Sequence, residues 1–286
     1  MIEEVKKLDI DYIELDFALS KEMVNEIAEL VEDEFITVLS LHNFCPVPDS
    51  VDIKKASPDY YSLASIDKTE RKKAVEGTRR TIDTACRLKA KAIVVHSGRL
   101  DIKDRTRELA EETVKGADTS HLIRTMRKER GEELKKGHLD SLIESVGEIS
   151  SYSKNCAVKI GLENRFYFRE LPSVEEFEVI FSHFNAGTNI YYWHDTGHAE
   201  VFDRLKLCPH KEYLDKFSNR LLGVHLHDVK GAMNDHKAPL AGDFDFSILK
   251  PYLSKDMLKV LEPHAPASSE EIKGALAYLK QLYRDE

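Results

Sequence analysis

Several residue types that announce whole protein classes are scarce in this sequence. Among 286 residues there is one tryptophan, Gln281 is the only glutamine, and there are four cysteines. Cys45, Cys86, Cys156 and Cys208 stand far apart without a CxxC pair, so neither a disulfide framework nor a thiolate zinc site is signalled. A reduced, cytoplasmic protein is expected. No apolar run approaches the roughly 20 residues that a membrane helix needs, and the longest strand-like run is Ala92-Ile93-Val94-Val95. The opening residues lack the basic-then-apolar pattern of a secretory signal. No G-x-G-x-x-G or P-loop follows any strand-like run, which disfavours an open nucleotide-binding sheet. Excess positive charge is lacking too. Forty-two basic against 51 acidic residues give a net charge of -9, which argues against nucleic acid as a partner, since that binding rests on neutralising phosphates. The near-absence of glutamine beside 33% charged residues fits a heat-adapted source.

What is present is a repeated alternation of helix-period and strand-like segments. A short helix over 3–8 precedes a strand at 12–15. Helices over 21–32, 69–88, 174–184 and 211–217 each precede a strand, at 35–42, 92–96, 190–195 and 222–227. A charged helical excursion at about 103–152 leads into a strand at 158–163. The segment 246–253 leads into a strand at 258–262, and a helix over 269–283 follows, capped by Ser268 or Ser269. Seven helix-then-strand units without a Pro/Gly-rich linker predict a single α/β domain over 1–286. The expected fold is a TIM-type (β/α) barrel with seven clear strands, the usual first strand being apparently absent.

Six of these strands end on a metal-type ligand: His42, His96, Glu163, Asp195, His225 and Glu262. In such a barrel the carboxyl ends of the strands share the face that carries the active site. Carboxylates set among Val, Ile and Leu cost several kcal/mol when uncompensated, and a bound cation removes that cost. Imidazole and carboxylate ligands without thiolate suit Mn²⁺, Mg²⁺, Co²⁺ or Zn²⁺. His227, two residues beyond His225, shares its facing. His194 points the other way and is expected to pack, as is Trp193, while Asp228 is expected to bond locally. Tyr167 and Phe168 are read as packing residues, and His121, His138, His183 and His210 as solvated surface. Arg124, Arg127, Lys128 and Arg130 belong to the solvated excursion.

Five segments, Leu162-Glu163-Asn164-Arg165, Asp195-Thr196-Gly197-His198, Val224-His225-Leu226-His227-Asp228, Ala238 to Phe246 and Leu261-Glu262, resemble in order and spacing the xylose isomerase-like TIM-barrel superfamily. That group includes sugar isomerases and epimerases, related dehydratases and the endonuclease IV repair enzymes. The resemblance implies that Glu163, Asp195, His225 and Glu262 hold one divalent ion, Mn²⁺ foremost, with Zn²⁺, Mg²⁺ or Co²⁺ as alternatives. It further implies that Glu163 and Glu262 act as the acid/base pair of an isomerase or epimerase that passes through an enediolate of a small sugar-like substrate. His42, His96, Arg165, His198, His227 and His236 are then the substrate-binding residues, and a homo-oligomer is compatible with the group. The rival expectations are an enolate-forming dehydratase, a barrel that only binds sugar or metal, and an endonuclease IV-type zinc phosphodiesterase. In the last, His42 and His96 would serve a further zinc. Asp235 and His236 are adjacent where that enzyme has D-x-H, so on an extended segment they are expected on opposite sides. Gly242-Asp243 replaces a Gly-Glu-Gly turn, and both departures weigh against a three-metal cluster.

Overall fold

The structure, a computed structural model, describes residues 2–185 and 187–284. In chain order, α1 (Ile2–Lys6), β1 (Tyr12–Leu15), α2 (Lys21–Glu32), β2 (Thr37–His42), α3 (Lys68–Arg87) and β3 (Ala92–Val95) open the chain. Three helices follow, α4 (Thr106–Val114), α5 (Ser120–Leu134) and α6 (His138–Ser153), before β4 (Lys159–Glu163), α7 (Val174–His183) and β5 (Ile190–Asp195). The rest comprises α8 (Thr196–Arg204), α9 (His210–Phe217), β6 (Leu221–Leu226), β7 (Asp228–Lys230), β8 (Asn234–Lys237), β9 (Leu258–Leu261) and α10 (Ser269–Leu282). The expected segments 12–15, 21–32 and 190–195 coincide with β1, α2 and β5. The excursion is three helices rather than one stretch, interrupted by turns that contain Gly116 and Gly137, both at positive φ. Segment 246–253 is a 3₁₀ helix ending at Tyr252.

The chain forms two compact units, each built from discontinuous segments. The first takes the residues up to Leu100, Leu134–Glu163 and Glu175–Tyr191; the second takes Asp101–Glu133, Asn164–Val174 and the residues from Tyr192. In the first unit β1 to β4 pair in parallel and in chain order. All four residues of β3 are buried, as expected of a parallel strand covered on both faces. Ile93, Val94 and Val95 each contribute roughly 1.5–3 kcal/mol by leaving water. Helix α3 starts at Asp67, whose side chain accepts the Thr69 amide, and buries Ala74, Val75, Thr78, Thr81, Ile82 and Ala85, the helical spacing of one face. Gly77 on that face is required: a Cβ there would stand 2.7 Å from the Phe44 ring. Ion pairs Arg71–Glu144 (2.8 Å) and Arg79–Glu148 (2.6 Å) align α3 with α6.

In the second unit β5, β6 and β9 pair in parallel, and β7 and β8 form a separate antiparallel hairpin that the sequence pattern did not signal. A buried cluster of Leu109, Met126, Phe166, Val201, Phe202 and Val229 ties α4 and α5 to α8. Tyr167 and Phe168 pack against it, as expected of them. Parallel pairing sets all strand carboxyl ends of one unit at one edge. That edge carries His42, His96 and Glu163 in the first unit and Asp195, His225 and Glu262 in the second.

Candidate active site

In the first unit, His42 and His96 are buried and their rings meet edge to face at 4.7 Å. His42 Nδ1 donates to the Asn43 carbonyl (3.2 Å), and His96 Nδ1 bonds the Asp59 carboxylate (3.0 Å). Each ring is thereby oriented so that Nε2 faces the same oxygen of Glu163, at 3.8 Å for His42 and 2.8 Å for His96. A carboxylate oxygen only accepts, so a shared proton or a cation must balance these nitrogens. Carboxylate support behind a histidine is the common outer layer of a metal site. Asp59, in the loop after β2, was not singled out from sequence, since no periodicity marks it.

In the second unit, Asp195 is fully buried and opposite His225 in the β5–β6 register. Its side chain caps α8 by accepting the His198 amide at 2.7 Å. Asn164 brackets the backbone of Asp195, donating to its carbonyl (3.0 Å) and accepting its amide (2.8 Å). His225 Nδ1 lies 3.7 Å from Asp195 Oδ2 and 3.3 Å from Glu262 Oε2. Such separations fit donors that each stand about 2.1 Å from one ion. His198 Nδ1 donates to the Asn164 carbonyl at 3.0 Å. The mixed donor set therefore suits a divalent cation, which Asp195, His225 and Glu262 could hold.

Burial opposes ionisation of Asp195, yet the His198 and His227 imidazoles, the hydrogen bond from His227 and the nearby His225 ring hold its carboxyl well below the usual range. Glu262 goes the other way. Loss of water pushes its carboxyl up, and the His225 and His236 imidazoles do not cancel that effect. One site thus keeps a fixed anion beside a carboxyl that retains its proton more readily.

His227 Nε2 reaches both Asp195 oxygens, at 3.0 and 2.9 Å, while its Nδ1 accepts the His236 amide at 2.9 Å. Only glycine fits at position 197, because a Cβ there would lie 2.0 Å from the His227 ring. His236 stacks on His227 at 4.0 Å and on His264 at 3.7 Å. Loss of water and the neighbouring imidazoles push His264 down to about 4, which leaves it neutral at pH 7. His264 was not anticipated; its signal was the alternation Glu262-Pro263-His264 just after a strand that ends on a ligand. Asp235 and His236, expected on opposite sides of an extended segment, are instead bonded at 2.8 Å. The left-handed backbone at His236 (φ 51) accounts for the difference.

The remaining residues divide differently from expectation in places. Arg165 is buried and paired with Glu170 at 3.4 Å. His194 packs as expected, bonding the Tyr192 hydroxyl (2.6 Å) and His210 (3.0 Å). His210 and His138 are not solvated: both are buried, His210 against Glu200 (3.2 Å) and His138 on the Ala64 carbonyl (2.9 Å). A helix-surface position in sequence became an interior one because a polar partner is waiting there. Arg130 is likewise buried, donating to the Phe168 and Glu170 carbonyls. Asp228 does bond locally, accepting the amides of Val229, Leu240, Gly242 and Phe244 at 2.8–3.1 Å.

Comparison with known proteins agrees with the fold. A D-tagatose 3-epimerase-like protein superposes with a TM-score of 0.69 at 20% identity, over 99% of this chain and 92% of that one. The apo 3-keto-D-glucoside 4-epimerase YcjR from E. coli gives 0.67 at 15%, over 98% and 92%. D-Psicose 3-epimerase from Clostridium cellulolyticum H10, in a structure with D-tagatose, gives 0.65 at 17%, over 99% and 92%. An uncharacterized protein of Sinorhizobium fredii (strain NBRC 101917 / NGR234), y4fM, is 23% identical over 180 residues, 63% of this chain. That match spans 48% of the relative, so the chain accounts for about half of its length. The profile of the xylose isomerase-like TIM barrel family matches residues 2–282. The chain therefore belongs to the xylose isomerase-like TIM barrel family, and its fold is the TIM-type (β/α) barrel of that family.

Proposed function

We propose that the chain is a divalent-metal-dependent isomerase or epimerase of a small sugar or sugar-like molecule. The observation that carries this reading is His225 Nδ1 facing the carboxylates of both Asp195 and Glu262, a cation-ready set at the carboxyl ends of three parallel strands. The family resemblance adds Glu163 as the fourth ligand. Solved structures of similar fold include a 3-keto-D-glucoside 4-epimerase and a D-psicose 3-epimerase, which supports a sugar-like substrate.

A bound divalent ion would supply Lewis-acid stabilisation of the negative charge that builds when a proton leaves the carbon beside a carbonyl. Glu163 and Glu262 move that proton, one as base and the other as acid. The upward shift at Glu262 runs in the direction that a proton carrier needs. His227 holds Asp195 in its ionised orientation, and His198 and His236 would bond substrate hydroxyls. The test is incubation of the metal-reconstituted protein with a panel of ketoses in heavy water. Epimer formation with solvent deuterium at one carbon is expected; loss of water from the substrate would instead assign the related dehydratase chemistry.

A second reading, a zinc phosphodiesterase acting on abasic DNA, is favoured by one observation: His42 and His96 converge on Glu163 with their other nitrogens already bonded. Elemental analysis separates the two. One equivalent of metal is expected here, with His42 and His96 serving substrate, whereas two or more equivalents with metal-dependent cleavage of abasic DNA would assign the nuclease.

A further inference from the structure

Tyr192 and His194 stand two residues apart on β5 and share the strand face opposite to that of Asp195. That face is buried under α9. The Tyr192 ring stacks on Tyr213 and packs against Phe217, and the His194 ring lies 5.1 Å from that of His210. Apolar side chains would fill this space without the cost of taking polar groups out of water. Instead a line of polar atoms runs through it. Glu200, which Arg204 holds at 2.7 Å, lies 3.2 Å from His210 Nδ1. His210 Nε2 is 3.0 Å from His194 Nε2, and His194 Nδ1 is 2.6 Å from the Tyr192 hydroxyl. That hydroxyl is 3.0 Å from Asn164 Oδ1.

The direction of these bonds is set at Asn164. Its amide nitrogen donates to the Asp195 carbonyl and its oxygen accepts the Asp195 amide, which fixes the flip of the side chain. Oδ1 only accepts, so the Tyr192 proton points at it and the Tyr192 oxygen takes a proton from His194 Nδ1. A neutral His194 ring protonated on Nδ1 accepts at Nε2, where the Nε2 proton of His210 arrives.

We propose that His194 is a positioning residue for the metal centre: acting through Tyr192 and Asn164, it holds the backbone of Asp195, and with it the carboxylate, where the ion needs it. This role rests on the reading of Asp195 as a ligand. Strand β5 ends on Asp195 and α8 begins at Thr196, so the ligand sits on a junction between two elements. Asn164 clasps that junction on both sides of the Asp195 backbone, and its own carbonyl takes His198 Nδ1 at 3.0 Å. His194 works here as a donor rather than as bulk.

Cobalt(II) is titrated into the chelator-treated full chain and followed by its visible absorption, with circular dichroism as the check on folding. Tyr192→Phe keeps the ring and removes the link, while His194→Leu keeps bulk and removes the donor. Each should bind cobalt about 10–100-fold more weakly than wild type, with a changed visible band. His194→Asn sets an amide N–H near the place of Nδ1 and should recover affinity to within about threefold of wild type. A space-filling role predicts the reverse order, since asparagine fills less of the site than leucine. Nitrogen NMR of the metal-free wild type, which needs no variant, should find the neutral His194 ring protonated on Nδ1. Wild-type affinity in both Tyr192→Phe and His194→Leu, no gain of His194→Asn over His194→Leu, or a neutral ring protonated on Nε2 overturns the positioning role and leaves Asp195 a ligand. A wild type that binds no cobalt overturns the ligand and the positioning role together.

Discussion

His227 gives its Nε2 to both oxygens of the Asp195 carboxylate, at 3.0 and 2.9 Å, and takes the amide of His236 on its other nitrogen. A ring that donates through one nitrogen and accepts through the other is fixed, in its neutral form, in a single tautomer. It follows that Asp195, lying between strand and helix, is aimed by a histidine rather than by the chain alone.

Against the loss of water that opposes its charge, the His227 imidazole is pushed up to about 9 by the Asp195 carboxylate. In the metal-free protein, nitrogen NMR above that pH should therefore find His227 with a protonated Nε2 and an unprotonated Nδ1, and a neutral ring protonated on Nδ1 would refute the tautomer. Asp195, being depressed, contributes stability that is fully present above its unfolded value of about 3.8 and lost as pH falls through the folded value. Asp195→Asn should shorten that acid loss. Gly197→Ala, which would put a methyl 2.0 Å from the His227 ring, should displace the histidine and abolish this signature.

Asp195→Ala and His225→Ala each remove a proposed ligand, and each should lower affinity for the metal at least 100-fold while circular dichroism stays that of the folded chain. Titration of metal into chelator-treated protein measures this. Stoichiometric metal retained by both variants would sink the site.

Glu163→Gln and Glu262→Gln keep shape and lose the ability to carry a proton. Turnover on the identified substrate should fall by about 10²–10⁴-fold in each. Near-wild-type rates in either would disprove the paired-carboxylate mechanism.

Asp228→Ala leaves four amides without their acceptor. Amides that lose a charged partner cost about 1–3 kcal/mol each when they stay buried, so a total loss of about 2–5 kcal/mol is expected after partial rescue by water. Urea unfolding reads it directly, and a change below about 0.5 kcal/mol would mean that the loop is held by other contacts.

The parallel strands were legible because burial on both faces writes itself as an unbroken run such as Ala92–Val95, and the ligands because they end those runs. Helix α8 was not legible as a helix. Its first turn, Thr196-Gly197-His198, read as a motif, although Asp195 accepting the amide three residues on is an ordinary helix cap. The β7–β8 hairpin is short and polar and carries no alternation. His138 and His210 were misjudged because their interior partners, the Ala64 carbonyl and Glu200, are supplied by distant segments. Asp59 and His264 lie in loops, where periodicity has nothing to report.

The Asp228 cradle also bears on how this protein could be re-engineered. Because one carboxylate at the start of β7 clasps amides from Leu240, Gly242 and Phe244, the stretch from 228 to 246 behaves as a cassette with its own latch. A graft from a relative that carries the aspartate along should keep the donor loop's shape in the new host. One that swaps only the loop's tip, into a host with no matching anion, should arrive unlatched.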